Sequence, residues 1–253
     1  MGDDADLTVD GFLGGRIRIF QPRKGYRAAT DPVFLAASVA AHSGQSVLEL
    51  GCGVGVASLC LAARVPGLRL CGIERQADYA ALACRNAVAN GVPFEVIEGS
   101  IDSLPAKLRA SSFDHVIANP PYYRSGAGTR ADDVGREAAL REETPLPVWV
   151  DVAMRRLAPG GWLSMINLAE RLPDILVALD GRAGSLAILP IAPRHGRAAS
   201  RVVVRARKGG GGAARLLAPL IVHDGPEHLR DGDDYSVLAR AILRDGAAVP
   251  GLD

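Results

Sequence analysis

The run Asn-Pro-Pro-Tyr-Tyr over residues 119–123 combines groups that can hold a flat molecule carrying an amino group. It follows the apolar segment Phe113–Ala118. The Asn119 amide oxygen and the Pro120 carbonyl can both accept hydrogen bonds from one planar NH₂ group, and the Tyr122 ring offers a face for stacking. Asn-Pro and Pro-Pro are also ordinary turn signals. By itself the motif therefore leaves a binding site and a plain turn open.

A glycine-rich turn ends an earlier apolar run, and its glycines would let the backbone approach a ligand closely. Gly51, Gly53 and Gly55 follow Val47–Leu50 and precede a helical pattern, whose start is electropositive. The spacing is G-x-G-x-G, whereas dinucleotide sites use G-x-G-x-x-G. The acidic Glu49 before the turn would repel a phosphate but would suit an ammonium-bearing ligand. The turn indicates a ligand site without a pyrophosphate.

Two further strand ends carry polar side chains suited to a nucleoside. Glu74 ends the next apolar run, at roughly the 20-residue spacing at which α/β nucleotide folds place an acid on ribose hydroxyls. A solvated glutamate at a strand end is the plainer alternative. After the third run, Ser100, Ile101 and Asp102 offer an apolar wall and a polar contact for an adenine ring.

These groups need a framework that brings successive strand ends together. From residue 46 the chain alternates short apolar runs with longer helical patterns, which predicts a parallel sheet covered by helices on both faces. The predicted strands are Ser46–Leu50, Leu68–Glu74, Phe94–Glu98, Phe113–Ala118 and Trp162–Leu168, and the predicted helices are Val54–Val65, Gln76–Asn90 and Pro145–Leu157.

The last third of the chain follows a different pattern. Ser185–Pro190 and Arg201–Arg207 are predicted strands whose connection is too short for a crossover helix, so we expect them to be antiparallel. Leu216–His223 is a further extended segment, and Tyr235–Leu243 is a predicted terminal helix. No internal repeat and no second core are evident.

The expected organisation is an N-terminal extension over residues 1–45, followed by one domain over residues 46–253. In the extension, Arg16–Phe20 alternates in the manner of an edge strand.

The acid, the glycine turn, the second acid and the adenine-sized pocket together resemble the class I methyltransferases over about residues 46–170. The resemblance implies an α/β, Rossmann-like fold with a mostly parallel seven-stranded sheet and an antiparallel strand pair near the C-terminus. It implies S-adenosyl-L-methionine as the cofactor. In that family the third strand commonly ends in Gly-Asp, and here Ser100 stands in that place with Asp102 two positions on, so either could face the adenine. The implied cofactor-binding residues are Thr30, Asp31, Glu49, Gly51, Gly53, Gly55, Glu74, Ser100, Ile101, Asp102 and Asn119.

Methyltransferases with this Asn-Pro-Pro-Tyr motif act on planar nitrogens: adenine N6, guanine N2, cytosine N4 or a glutamine amide. The resemblance implies that Asn119, Pro120 and Tyr122 are the catalytic residues. Accepting both amine hydrogens favours a pyramidal, attacking nitrogen, so orientation and electrostatics replace a strong base.

The segment from Lys24 to Ala37 resembles the element that precedes the core in bacterial tRNA (adenine-N6)-methyltransferases. This implies an adenine beside the anticodon of a tRNA as the acceptor. Glutamine methyltransferases carry a longer helical domain before the core, which favours the adenine. Methylation of a protein glutamine or of another base remains an alternative, as does a non-catalytic RNA-binding scaffold.

Positive charge is concentrated locally in an otherwise neutral chain. Arg201, Arg205 and Arg207 share strand parity, so one face of that strand is predicted to meet phosphates, although arginines that keep an edge strand soluble are the alternative. The predicted substrate-binding residues are Lys24, Tyr26, Arg27, Tyr123, Arg194, Arg197, Arg201, Arg205 and Arg207.

Composition and charge exclude several other classes of protein. The formal net charge of +1 gives no global attraction to polyanions, and 48% hydrophobic residues support a substantial core. The four cysteines form no C-x-x-C pair, which predicts neither disulfides nor a metal site and fits a cytoplasmic protein. No signal peptide and no apolar run of about 18 residues are evident, so no membrane partner is expected. The oligomeric state is left open.

Overall fold

The computed structural model describes residues 6–124, 141–142, 144–225 and 234–252, without the side chains of residues 123–124 and 141–142. The strands in chain order are β1 (Leu7–Phe12), β2 (Ile17–Pro22), β3 (Ser46–Leu50), β4 (Arg69–Glu74), β5 (Phe94–Glu98), β6 (Phe113–Ala118), β7 (Tyr123–Arg124), β8 (Arg141–Glu142), β9 (Leu157–Leu168), β10 (Ala183–Ala192), β11 (Arg201–Lys208), β12 (Arg215–Leu216) and β13 (Leu220–Ile221). The helices are α1 (Asp31–Ala37), α2 (Val56–Arg64), α3 (Ala77–Ala89), α4 (Ala106–Ala110), α5 (Leu146–Arg156), α6 (Leu172–Leu179) and α7 (Val237–Asp245).

One large sheet organises the described part of the chain, in the order β12-β10-β11-β9-β6-β3-β4-β5, with β13 also pairing with β10. Strands β3, β4, β5, β6 and β9 are mutually parallel, whereas β11 runs antiparallel to both of its neighbours. Seven of these strands have five or more residues, and β12 and β13 have two each. The predicted α/β fold, with its mostly parallel sheet and its antiparallel pair, is confirmed.

Helices cover both faces of the sheet, as the continuous apolar strands predicted. Within β3, Val47 packs into one apolar cluster with α1, α2, α3 and α7, while Leu48 and Leu50 pack into a second cluster with α4, α5 and α6. Successive side chains of a strand point to opposite faces, so a strand buried on both sides must be apolar throughout. Burying one such aliphatic side chain completely stabilises the folded chain by about 1.5–3 kcal/mol relative to leaving it exposed. Among the described helices, none has the length and apolarity needed to cross a membrane.

Several element boundaries differ from the prediction. The helix predicted over Pro145–Leu157 is Leu146–Arg156, and the following strand begins at Leu157 rather than at Trp162. Leu157 pairs with Phe113, and the register shifts before Trp162 pairs with His115. Pro159, Gly160 and Gly161, which follow the predicted helix, therefore lie within an irregular strand.

The segment predicted as an N-terminal edge strand, Arg16–Phe20, corresponds to β2 and lies outside the main sheet. β2 pairs with β1 in a separate antiparallel hairpin, with Phe12 opposite Ile17. The partner strand Leu7–Phe12 lies within the same N-terminal extension but was not predicted as a strand. Leu13–Gly15 connects the two strands with Gly14 at φ 67°, a conformation that favours glycine.

Two asparagines of α3 attach this hairpin to the domain. Asn86, which is fully buried, accepts a hydrogen bond from the Phe20 N–H at 2.8 Å and donates to the carbonyls of Phe20 at 3.2 Å and Val54 at 2.9 Å. Asn90 makes the equivalent pair of bonds to Arg18 at the exposed end of α3. Asn86 therefore ties the hairpin to the turn that follows β3.

We expect Asn86→Ala to lower the free energy of unfolding by about 3 kcal/mol, because it leaves buried backbone groups without partners. Asn90→Ala is the matched control and should cost about 1 kcal/mol or less, since water can replace its bonds. Urea denaturation of the two variants measures both values. Equal losses would contradict this account of how the hairpin is held.

Candidate active site

The carboxyl ends of four parallel strands form the wall of one pocket. Leu50 at the end of β3 pairs with Ile73 on one side and with Ala118 on the other, and Glu74 pairs with Glu98. Ten of the predicted site residues line this pocket: Tyr26, Glu49, Gly51, Gly53, Glu74, Ser100, Ile101, Asn119, Pro120 and Tyr122.

The glycine turn after β3 lies close to an aromatic ring. Gly51 has φ 63°, and a Cβ built on it would be 2.6 Å from the Trp149 ring. Gly53 has φ 54°, and its N–H donates to Glu74 Oε2 at 2.9 Å. Gly55 does not line the pocket; it begins α2 and packs against Phe94. The turn therefore requires glycine for two reasons: the backbone angles of Gly51 and Gly53 favour glycine, and Gly51 lies too close to the Trp149 ring to carry a side chain.

Glu74 presents a carboxylate that the backbone holds in place. Its Oε1 accepts from the Gln76 N–H at 2.9 Å while Oε2 accepts from Gly53, and the residue is buried. A carboxylate has about four lone-pair positions, so acceptor capacity is left for hydroxyl groups in the pocket.

Glu49 is a buried acid directly beneath the glycine turn. Its carboxyl accepts hydrogen bonds from the N–H of Ser58 at 3.0 Å and from the Ser58 hydroxyl at 2.5 Å. Burial raises the pKa of Glu49 to about 8, against the lowering effect of the two Ser58 hydrogen bonds and with a smaller raising effect from Glu74. Before any ligand binds, this acid is mostly neutral at pH 7.

After the end of β5, Ser100 and Asp102, either of which was expected to face the adenine, have different environments. Ser100 and Ile101 line the pocket, whereas Asp102 does not. The Asp102 carboxylate accepts from the hydroxyls of Thr144 at 2.5 Å and Ser100 at 3.2 Å. Thr144 in turn accepts a bond from Trp149 Nε1 at 3.2 Å through its carbonyl. Asp102 thus anchors a residue of the pocket wall.

The acceptor motif after β6 is connected to the start of α1. The Tyr122 hydroxyl donates to Asp31 Oδ2 in a short hydrogen bond, and it lies 3.0 Å from Asn119 Oδ1. Arg201 donates from Nε to Asp31 at 2.9 Å, and its guanidinium lies 4.8 Å from the Tyr122 ring centroid. Asp31 and Thr30, predicted to bind the cofactor, do not line the pocket.

The N-terminal segment contributes Tyr26 to the pocket. The Tyr79 hydroxyl accepts from the Tyr26 N–H and donates to the Tyr26 carbonyl, both at 3.1 Å. Arg27, predicted to bind RNA, forms an ion pair with Asp10 at 2.6 Å within the hairpin region, and Lys24 is exposed. The side chain of Tyr123 lies outside the described residues.

The prediction that Arg201, Arg205 and Arg207 of β11 form one phosphate-facing row is wrong for Arg205. Arg205 is only 2% exposed and lies 4.6 Å from the Trp162 ring centroid. Along β11, Arg201 pairs with Leu168 at the end of β9, while Arg207 pairs with Trp162 in the middle of β9. Shared parity places the three side chains on one face of the strand, but the charge of Arg205 is not displayed at the surface.

The two remaining predicted basic residues, Arg194 and Arg197, do not line the pocket. Arg194 forms an ion pair with Asp234 at 2.6 Å, and Arg197 is exposed. Within the described residues, no group of histidine, cysteine, aspartate and glutamate side chains could hold a metal ion.

Several pocket residues were not found from the sequence. Trp149 and Thr144 reach the pocket from α5 and the residues before it, and Tyr79 reaches it from α3. Trp149 is one of two tryptophans in the chain and lies on a predicted helix, so its size was a usable signal. Its distance of about a hundred residues from the glycine turn hid the contact.

We expect the buried Glu49 to make stability depend on pH. With a folded-state pKa of about 8 against an ordinary value of 4.5, the folded chain keeps a proton that the unfolded chain loses, so its contribution to the free energy of unfolding decreases as pH rises from about 5 to 8. Glu49→Gln should remove this dependence. Urea denaturation across that range measures it, with Glu170→Gln at an exposed position as the control. Parallel stability curves for wild type and Glu49→Gln would contradict the assignment.

Comparisons with known proteins agree with this geometry. The model of the methyltransferase small domain family matches residues 29–167. A tRNA1(Val) (adenine(37)-N6)-methyltransferase of Porphyromonas gingivalis is 33% identical over 183 residues, which cover 67% of this chain and 69% of the relative. The corresponding enzyme of Dickeya chrysanthemi is 26% identical over 94% of both chains. A crystal structure from Agrobacterium tumefaciens, described as a predicted O-methyltransferase, matches with a TM-score of 0.70 and 29% identity over 87% of this chain and 98% of that one. The chain belongs to the methyltransferase small domain family.

Proposed function

We propose that this chain transfers a methyl group from S-adenosyl-L-methionine to the exocyclic N6 amine of an adenine in tRNA. One observation carries the proposal: the acceptor motif Asn119–Tyr122 lines the same pocket as the glycine turn and the two buried acids. The relatives from P. gingivalis and D. chrysanthemi are named for this reaction at adenine 37, the position beside the anticodon. The tRNA substrate in turn supports a cytoplasmic location.

The donor half of the pocket fits S-adenosyl-L-methionine. Gly53 lines the pocket and has open space where a Cβ would be, which supports a backbone that a ligand approaches closely. Glu74 would accept hydrogen bonds from the ribose hydroxyls, and Ser100 and Ile101 would contact the adenine. Glu49, which is mostly neutral in the ligand-free pocket, would ionise beside the positively charged amino acid end of the donor and thereby stabilise it. When bound, S-adenosyl-L-methionine supplies an electrophilic methyl group on a sulfonium.

The acceptor half of the pocket suits an aromatic amine. The lone pair of an adenine N6 is delocalised into the ring, so the nitrogen is a weak nucleophile. The Asn119 side-chain oxygen and the Pro120 carbonyl would each accept one of its hydrogens, which favours a pyramidal nitrogen and holds it in place. Tyr122 would stack on the base. No strong base is required, because the proton can leave after the methyl group has arrived.

The RNA contacts are assigned to exposed or partly exposed basic residues near this edge. Arg201 is half-buried beside Tyr122, and Lys24 precedes the pocket residue Tyr26. Arg197 is exposed in the loop between β10 and β11. Phosphate contacts of this kind position the substrate without selecting the base.

The substrate is tested with the purified chain, labelled S-adenosyl-L-methionine and unmodified valine tRNA. We expect N6-methyladenosine at position 37 when the digested tRNA is measured by mass spectrometry. A glutamine-containing release-factor peptide and a tRNA with guanine at position 37 are the controls. Label in the peptide, or in another base, would overturn the proposed acceptor.

We expect Asn119→Ala to bind S-adenosyl-L-methionine with unchanged affinity and to lower kcat about 100-fold or more, because removal of one preorganised polar group at a reacting centre has an effect of that order. Isothermal titration and single-turnover methyl transfer measure the two quantities. Asn90→Ala, on the exposed end of α3, is the control for the loss of an asparagine. Unchanged turnover in Asn119→Ala would rule out the catalytic role.

A further inference from the structure

We propose that Asp31 is a positioning residue for methyl transfer: its carboxylate engages the Tyr122 hydroxyl proton and thereby leaves the Asn119 side-chain oxygen for the acceptor amine. The inference rests on the proposed function and assigns to Asp31 a role other than binding the cofactor. It explains why an acid at the start of α1 contacts the acceptor motif while remaining outside the pocket wall.

The Tyr122 hydroxyl has two acceptors within reach and one proton. Asp31 Oδ2 is at short hydrogen-bond distance, and Asn119 Oδ1 is 3.0 Å away. Only one of the two can receive the proton at a time. Asn119 needs that same oxygen to accept a hydrogen from the substrate. The hydroxyl is therefore a competitor of the substrate unless another group binds its proton.

Asp31 is the stronger acceptor of the two. A hydrogen bond to a carboxylate is shorter and about twice as strong as one between neutral groups, and the contact to Asp31 is the shorter one. Burial, together with the charge of Asp31, raises the pKa of Tyr122 above its ordinary value, so the hydroxyl keeps its proton and remains a donor. With that proton directed to Asp31, the phenol oxygen faces Asn119 as an acceptor. The amide can then present its NH₂ group to Tyr122, which releases Oδ1.

Arginines fix both members of this pair. Arg201 binds the same Oδ2 atom of Asp31 at 2.9 Å and covers the Tyr122 ring at 4.8 Å. Arg171, which is 5% exposed, donates to the Tyr122 carbonyl at 3.3 Å. The ring, the carboxylate and the backbone are thus held from three directions, so the hydroxyl has little freedom to turn away from Asp31.

Removal of Asp31 should therefore slow the reaction in a way that depends on Tyr122. In Asp31→Ala the hydroxyl donates to Asn119 and occupies the catalytic acceptor. If the hydroxyl is then removed as well, by Tyr122→Phe, the acceptor becomes available again. A merely structural role for Asp31 gives a different result, because the double variant would then be as slow as Asp31→Ala or slower.

The test is a double-mutant cycle on kcat for tRNA methylation. We expect Asp31→Ala to lower kcat about 10- to 100-fold and Tyr122→Phe to lower it only a few-fold. The double variant should regain the rate of Tyr122→Phe alone. Dissociation constants for S-adenosyl-L-methionine and for tRNA should be unchanged throughout. Asp78→Ala, which removes an exposed acid from the first turn of α3, is the matched control.

A double variant that is as slow as Asp31→Ala, or slower, would overturn the inference. A weakened binding of S-adenosyl-L-methionine by Asp31→Ala would also overturn it, in favour of a direct cofactor contact. If Asp31→Ala does not fold, Asp31→Asn retains the shape and should show a smaller loss that Tyr122→Phe again relieves. Absence of tRNA methylation by the wild-type chain would be a failure of the proposed function, which is distinguishable because it precedes any comparison of variants.

Discussion

Everything in this molecule depends on one geometric constraint: parallel strands that lie side by side end at the same edge of the sheet. β3, β4, β5 and β6 satisfy it, with Leu50, Ile73 and Ala118 in adjacent register positions. The glycine turn, the acids and the acceptor motif are far apart in sequence and become neighbours for this reason alone. β11 adds a group from the opposite direction, because an antiparallel strand begins where its neighbours end. Arg201 reaches Asp31 and the ring of Tyr122 in that way.

The two halves of the pocket are positioned by different means. On the donor side, backbone groups position the pocket: two N–H groups bind the carboxylate of Glu74, and the backbone of Gly51 packs against the Trp149 ring. On the acceptor side, a network of side chains determines which atoms can bind the substrate. The single proton of the Tyr122 hydroxyl can be donated either to Asp31 or to Asn119. The acceptor side is therefore the more sensitive to substitution of a residue that touches no ligand.

The mostly parallel sheet and the pocket-lining motifs followed from periodicity and local turn chemistry, which are properties of short segments. The alternation of buried strands and helices predicted both apolar faces, and strand ends predicted Glu49, Glu74 and Asn119 in one pocket. Contacts between segments that are distant in the sequence could not be predicted in this way. Parity cannot show that Arg205 is buried against Trp162, nor that β2 pairs with β1 rather than with the main sheet. The contact of Trp149 with Gly51 is of the same kind.

The central claim is that the strand-end motif holds an adenine amine between two carbonyl oxygens. The most direct measurement is a crystal structure of the chain with S-adenosyl-homocysteine and an anticodon stem-loop carrying an unmodified adenine at position 37. We predict the adenine N6 within hydrogen-bond distance of both the Asn119 side-chain oxygen and the Pro120 carbonyl, with the ring stacked on Tyr122 and the Tyr122 hydroxyl bonded to Asp31. An adenine bound away from Asn119, or an N6 facing neither oxygen, would contradict the account.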